Sequence, residues 1–159
     1  DDAIFMGHHQ AADLVWKMGA IGKTAEGKPT TWAAVHPEFY NMKDDPNVFV
    51  IGDSVGAVSP HFGHYPKSGH IANRMGRSVS TYIAQQSKGK EMKPVIIDNL
   101  CYMLVNTEPL EAINVKFEYK MGAEGHLLQT ITDDNFRRQE LWQADLQWYG
   151  NMVKDFTGG

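Results

Sequence analysis

Asn47-Val48-Phe49-Val50-Ile51 is an unbroken apolar run, largely β-branched, closed by Gly52-Asp53, and no other segment narrows the choice of fold as much. Continuous rather than alternating apolar runs mark strands covered on both faces, as in the sheet of an α/β protein. A glycine at the carboxyl end of such a strand lets a ligand approach the backbone. A neighbouring carboxylate accepts bonds from sugar or polyol hydroxyls. A simple turn explains Gly-Asp as well on local grounds. Further on, Tyr65-Pro66-Lys67-Ser68-Gly69 opens a helix, with Ser68 placed to cap it. Ile71, Met75, Val79, Tyr82 and Ile83 then recur every three to four residues and carry it to about Gln86. The free N–H groups of its first turn, together with Lys67, favour an anionic group; a capped helix with a solvated lysine is the plainer alternative.

The rest of the chain divides around a charged linker, Lys88 to Pro94. Before it, Ala3 to Met6 reads as a short strand, Gln10 to Met18 as a helix, Gly22 to Pro29 as a turn-rich connection and Thr31 to Val35 as a strand. After it, strands are expected at Leu100 to Val105, Ile113 to Lys120 and His126 to Thr132, the last two joined by a turn at Gly122 and Gly125. Asp133 and Asp134 favour a helix N-terminus. Trp142, Leu146, Tyr149, Val153 and Phe156 form a stripe expected to pack on the small sheet, and Trp148 lies off it. The expected architecture is thus α/β followed by α+β, in two units, 1–87 and 88–159.

A chain of 159 residues amounts to one domain or two small pieces. No apolar run approaches the roughly 18 residues of a membrane-spanning helix. With 15 Lys+Arg against 19 Asp+Glu and no basic block, nucleic acid is not an expected partner. The single cysteine, Cys101, is an inert buried thiol, a reactive thiol or half of a bridge to another chain. His61, His64 and His70 lie close in sequence, but no thiol or carboxylate completes a recognisable ligand spacing, so no metal site is expected. The first residues, Asp1 to Met6, lack both an initiator Met and a leader pattern and read as an interior cut.

Taken together, several segments resemble the carboxyl-terminal part of the flavoprotein subunit of flavocytochrome c sulfide dehydrogenase, in the two-dinucleotide-binding-domain flavoprotein superfamily. They are Thr31-Trp32-Ala33-Ala34-Val35, Val48 to Asp53, Pro66-Lys67-Ser68-Gly69 with Ala72-Asn73, Asn99-Leu100-Cys101-Tyr102 and Trp148-Tyr149-Gly150-Asn151. The resemblance implies the end of a Rossmann-like FAD-binding domain over 1–87 and a small flavin-covering α+β domain over 88–159. It implies that Gly52 and Asp53 approach and hold the ribityl chain and that Pro66, Lys67, Ser68 and Gly69 lie beside the pyrimidine end of the flavin, where charge appears on reduction. Trp148 would line the site, and Cys101 would be one of two cysteines in a redox-active disulfide, its partner outside this chain.

The implied function is that of a periplasmic, flavin-dependent oxidoreductase: oxidation of sulfide at that disulfide, with Cys101 and Lys67 in catalytic roles and electrons released through FAD to a c-type cytochrome subunit. The chain has no Gly-x-Gly-x-x-Gly for the ADP half of FAD and no Cys-x-x-Cys-His for haem. Tight FAD binding is therefore expected to need the amino-terminal part of the same flavoprotein, and haem to belong to the partner. Leu100 departs from the family's usual threonine, and the Ser59 to Tyr65 loop is longer and richer in histidine than the family leads one to expect. The alternatives are a sulfide:quinone oxidoreductase-like flavoenzyme and a non-catalytic binding or assembly module that kept the fold.

Overall fold

A computed structural model describes residues 3–158. Its most regular part is an antiparallel meander, β3 (Asn99–Thr107), β4 (Leu110–Met121) and β5 (Leu127–Arg138), in the order β3-β4-β5. The register sets Cys101 opposite Val115 and Phe117 opposite Ile131. The turn between β4 and β5 is where the two glycines place it: the Gly122 N–H donates to the His126 carbonyl at 2.8 Å, and Gly125 has φ +74°. A final helix, α3 (Gln139–Thr157), lies against this sheet, chiefly along β4.

The amino-terminal half is looser in secondary structure. A short helix, α1 (Asp13–Lys17), precedes a small antiparallel pair, β1 (Ile21–Lys23) and β2 (Pro29–Ala33). The chain then returns beside β2 through a parallel bridge between Ala33 and Val55. Gly56 makes that approach possible, because a Cβ there would lie 2.6 Å from the Ala33 carbonyl oxygen. The longest helix of this half, α2 (Gly69–Gln86), is capped as its sequence suggests: the Ser68 hydroxyl accepts from the Ile71 N–H. Ile71, Met75, Val79 and Tyr82 are buried along it, while Ile83 is half exposed.

One cluster of buried side chains runs through both halves, joining Val35, Tyr40, Val50 and Tyr65 to Ile97, Tyr119 and Leu127. The loop from Ser59 to Tyr65 is a main tie between them. Tyr65 meets Tyr119 edge to face at 4.7 Å, Phe62 packs on both rings, and the Ser59 hydroxyl donates to the Leu127 carbonyl at 2.6 Å. The fold is mixed α+β with two antiparallel sheets and a carboxyl-terminal helix.

Several expectations are corrected. Asn47 belongs to a turn closed by the Val48 N–H on the Asp45 carbonyl, and Val48 to Ile51 joins no ladder: Phe49 makes one bridge to Asn41, and the Val50 N–H donates to the Tyr40 carbonyl at 2.9 Å. Its apolarity is spent on packing in a loop layer, with Val50 buried and Ile51 exposed, so no doubly wound sheet is present among the described residues. Ala3 to Met6 is no strand and finds no cover; Phe5 is 94% exposed. The first helix is confined to Asp13–Lys17, and part of the supposed Gly22 to Pro29 connection is strand β1. Thr31 to Val35 shifts to Pro29–Ala33.

At Asp133 and Asp134 the backbone stays in β5, paired with Val115 and Asn114, and the helix begins only at Gln139. Hydrogen bonds along an established ladder outweigh a local preference for capping. As a result Asp134, Arg137 and Arg138 belong to the strand and not to α3. Finally, the apolar stripe of α3 is not core: Leu146, Tyr149 and Phe156 are 51%, 57% and 63% exposed.

Candidate functional site

The site residues expected from sequence gather around the amino-terminal end of α2. Gly52 and Asp53 lie in a single 3-10 turn, Gly52–Ser54, packed on the helix. Gly52 has φ +67°, where a side chain would be strained, and a Cβ on it would stand 3.4 Å from that of Ala72. Its N–H points to the Met75 sulfur at 3.2 Å.

Lys67 ties this turn to the start of the helix. Its ammonium donates to the carbonyls of Asp53 and Val55, the latter at 3.0 Å, and rests 3.7 Å from the centre of the Trp32 ring. Partial burial holds the ammonium below its usual range, opposed by the Asp53 carboxylate. Lys67 is thus engaged with the protein's own backbone. The Asp53 carboxylate is exposed.

Cys101 joins the same end of α2 through Asn99, which is completely buried. The Ser68 hydroxyl donates to Asn99 Oδ1 at 3.3 Å, and Asn99 Nδ2 donates to Cys101 Sγ at 3.2 Å. Cys101 is a free, half-buried thiol. Hydrogen-bonded contacts therefore run from the 3-10 turn through Lys67 and Ser68 to Asn99 and the thiol. Trp148 closes the other side, 5.4 Å from the His70 ring and 5.7 Å from that of Tyr102. It borders a cleft of about 290 Å³ between α2 and α3 that also reaches Asn73, Arg74, Arg77 and Asp155. The Arg77–Asp155 ion pair, at 2.8 Å, spans that cleft.

Two residues central to this arrangement, Asn99 and His70, are not among the site residues expected from sequence, although His70 is among the histidines weighed as metal ligands and Asn99 flanks the cysteine motif. Asn99 stands only as a neighbour of Cys101, and its contacts with Ser68 and His70 reach 31 and 29 positions back along the chain. His70 sits on the apolar face of α2 as a buried residue and meets Asn99 Oδ1 at 3.3 Å through Nδ1. The other histidines do not join it. His61 faces His126 at 6.0 Å on the β4–β5 turn, and no group of three His, Cys, Asp or Glu side chains suited to a metal gathers among the described residues.

Gly52–Ser54, Lys67, Ser68, Asn99 and Cys101 are thus linked at one helix end, and Trp148 borders the cleft between α2 and α3. No protein-family model matches this chain.

Proposed function

We propose that this chain is the carboxyl-terminal portion of a FAD-dependent sulfide dehydrogenase, residues 1–87 ending its FAD-binding, Rossmann-like domain and residues 88–159 covering the flavin. The observation that carries the reading is the convergence of Gly52-Asp53, Pro66 to Gly69 and Cys101 on one helix end through Lys67, Ser68 and Asn99.

When bound, FAD supplies a two-electron acceptor that passes electrons on singly to a c-type cytochrome. The chain's own residues do the rest. The Gly52 backbone and the Asp53 carboxylate hold the polyol chain, and Pro66, Ser68 and Gly69 present the polar end of α2 to the ring. Trp148 walls the site from the α3 side. Lys67 works by holding the Gly52–Ser54 turn against the helix, and its positive charge also favours the reduced, anionic state of whatever lies at that helix end.

Cys101 carries the sulfur chemistry, in a disulfide with a second cysteine supplied by the amino-terminal part of the same flavoprotein. Hydrosulfide attacks one sulfur, a new S–S bond forms to the incoming sulfur, the Cys–Cys bond breaks and its electron pair stays on the departing thiolate. Asn99 Nδ2 is placed to hydrogen-bond that thiolate when Cys101 is the one released. The periplasm, where disulfides persist, is the compartment in which this chemistry operates.

Two measurements test the reading. Flavin bands in the visible spectrum of the purified complete protein are expected; a colourless protein that takes up no FAD overturns it. In the complete flavoprotein, Cys101→Ser is expected to lower sulfide-dependent cytochrome c reduction at least about 100-fold while the flavin bands remain. An unchanged rate removes Cys101 from the reaction.

A further inference from the structure

The apolar stripe of α3 has a symmetry of its own. Along the helix it runs Trp142, Leu146, Tyr149, Val153, Phe156, which is aromatic, aliphatic, tyrosine, aliphatic, aromatic. Spacings of 4, 3, 4 and 3 hold all five on one narrow line of the helix. Leu146, Tyr149 and Phe156 are more than half exposed, and Trp142 and Val153 are half-buried. The helix is fixed to its own molecule by other side chains, Trp148 against Tyr102 and Met152 in the cleft beside α2. A pattern that reads alike in both directions presents matching surface to a copy of itself turned end for end. Trp142 then comes to Phe156 at each end, Leu146 to Val153 on either side of the middle, and the two Tyr149 side chains meet.

Gly150 is an independent pointer to the same arrangement. It lies in the interior of α3, where glycine weakens a helix, and a Cβ on it would meet nothing within 4 Å. Packing within the molecule therefore gives no reason for a glycine there. It sits beside Leu146, Tyr149 and Val153 at the middle of the stripe, where a second helix would cross, and a missing side chain at a crossing lets two helix backbones approach closely.

We propose that α3 is a self-association surface through which two copies of the chain pair antiparallel, about a two-fold axis near Tyr149 and Gly150. The antiparallel sense sets the negative carboxyl end of each helix beside the positive amino end of the other, where Arg137 adds an exposed cation. On the flank that carries Gly150, Gln143 of one copy comes beside Thr157 of the other, so the pairing buries no charge there. Large aromatic side chains bury about 150–250 Å² each, so two half-exposed stripes with their flanks supply about 1,000 Å² in total, the low end for a specific interface. The dimer is accordingly weak and concentration-dependent. The inference goes beyond the flavoprotein reading and does not rest on it.

Sedimentation velocity of the complete protein over about 1–200 µM tests the pairing, with a monomer–dimer equilibrium in the micromolar range expected. Gly150→Leu adds apolar surface in open space yet holds the helices apart. It is expected to weaken the dimer at least about tenfold with no loss of melting temperature in dilute protein. Leu146→Glu is expected to weaken the dimer by at least as much. In a Cys101→Ser background, Gln143→Cys protein mixed with Thr157→Cys protein is expected to give mixed cross-linked dimers with a short bismaleimide. A monomer at every concentration overturns the inference, including one whose stripe is covered by the amino-terminal part of the same chain or by another protein. So does a dimer that Gly150→Leu strengthens or that Leu146→Glu leaves unchanged. A dimer that lacks the mixed cross-link overturns the antiparallel arrangement. None of these readouts involves flavin or sulfide, so a failure here is distinguishable from a failure of the flavoprotein reading.

Discussion

Asn99 is completely buried, and its amide holds Ser68, His70 and Cys101 in place around it. Removing it leaves a hydroxyl and an imidazole buried without their acceptor. Asn99→Ala is therefore expected to cost about 1–3 kcal/mol in urea unfolding, more than the loss of one hydrogen bond that water could replace. Lys67 behaves differently because its ammonium lies near the surface. Lys67→Met should cost about 1 kcal/mol, chiefly the contact with Trp32 and the two carbonyls, and loosen the Gly52–Ser54 turn. Hydrogen exchange at Val55, whose N–H donates to the Gly52 carbonyl at 3.1 Å, reports that loosening. Of these residues Lys67 stands out from the sequence as a charge at a helix start. Asn99 does not, because a polar residue in a strand reveals nothing of the partners that come from another element.

The helices separate two kinds of information. α2 is legible from its cap and its apolar spacing, and Ser68→Ala should lower its stability by about 1 kcal/mol in thermal unfolding. α3 is legible as a helix but not in its orientation. Leu146, Tyr149 and Phe156 of its apolar stripe face outward and Trp142 and Val153 are half-buried, while Trp148 and Met152 turn to the cleft against α2. Leu146→Gln and Tyr149→Gln are accordingly expected to change stability by less than about 0.5 kcal/mol, whereas Trp148→Ala should cost at least about 2 kcal/mol in the same melts. A core stripe would give the opposite order. The meander was legible too, since its strands and the Gly122–Gly125 turn follow period-two patterning and turn chemistry. Its ends were not, because β5 continues through two aspartates on the strength of its pairing with β4.

For the whole molecule, the buried titratable groups set limits on both sides of neutrality. His70 is held below its usual range, so the unfolded chain binds the proton more readily than the folded one. Stability should therefore be fullest above about pH 6.5 and fall as the pH drops below it. His70→Gln should flatten that acid limb in melts recorded as a function of pH. Tyr40 and Tyr65 lie in the core, where burial raises both phenols, and burial pushes Tyr119 up to about 12. The unfolded chain gives up these protons near pH 10, so stability should be lost as the pH rises past that value. The three tyrosines belong to the cluster that joins the two halves, and alkaline unfolding should accordingly release both together, seen as one transition by near-ultraviolet and far-ultraviolet circular dichroism.

Local spacing and turn chemistry were enough for α2 and for the three-stranded meander, because caps, glycine turns and apolar periods act between residues a few positions apart. Tertiary structure decided whether Asn47 to Ile51 found ladder partners, which face of α3 turned inward, and that Ser68, His70 and Asn99 meet beside the thiol. Those outcomes depend on groups brought together from distant parts of the chain, and an extended apolar run or a buried amide is the same in sequence whichever neighbours it receives.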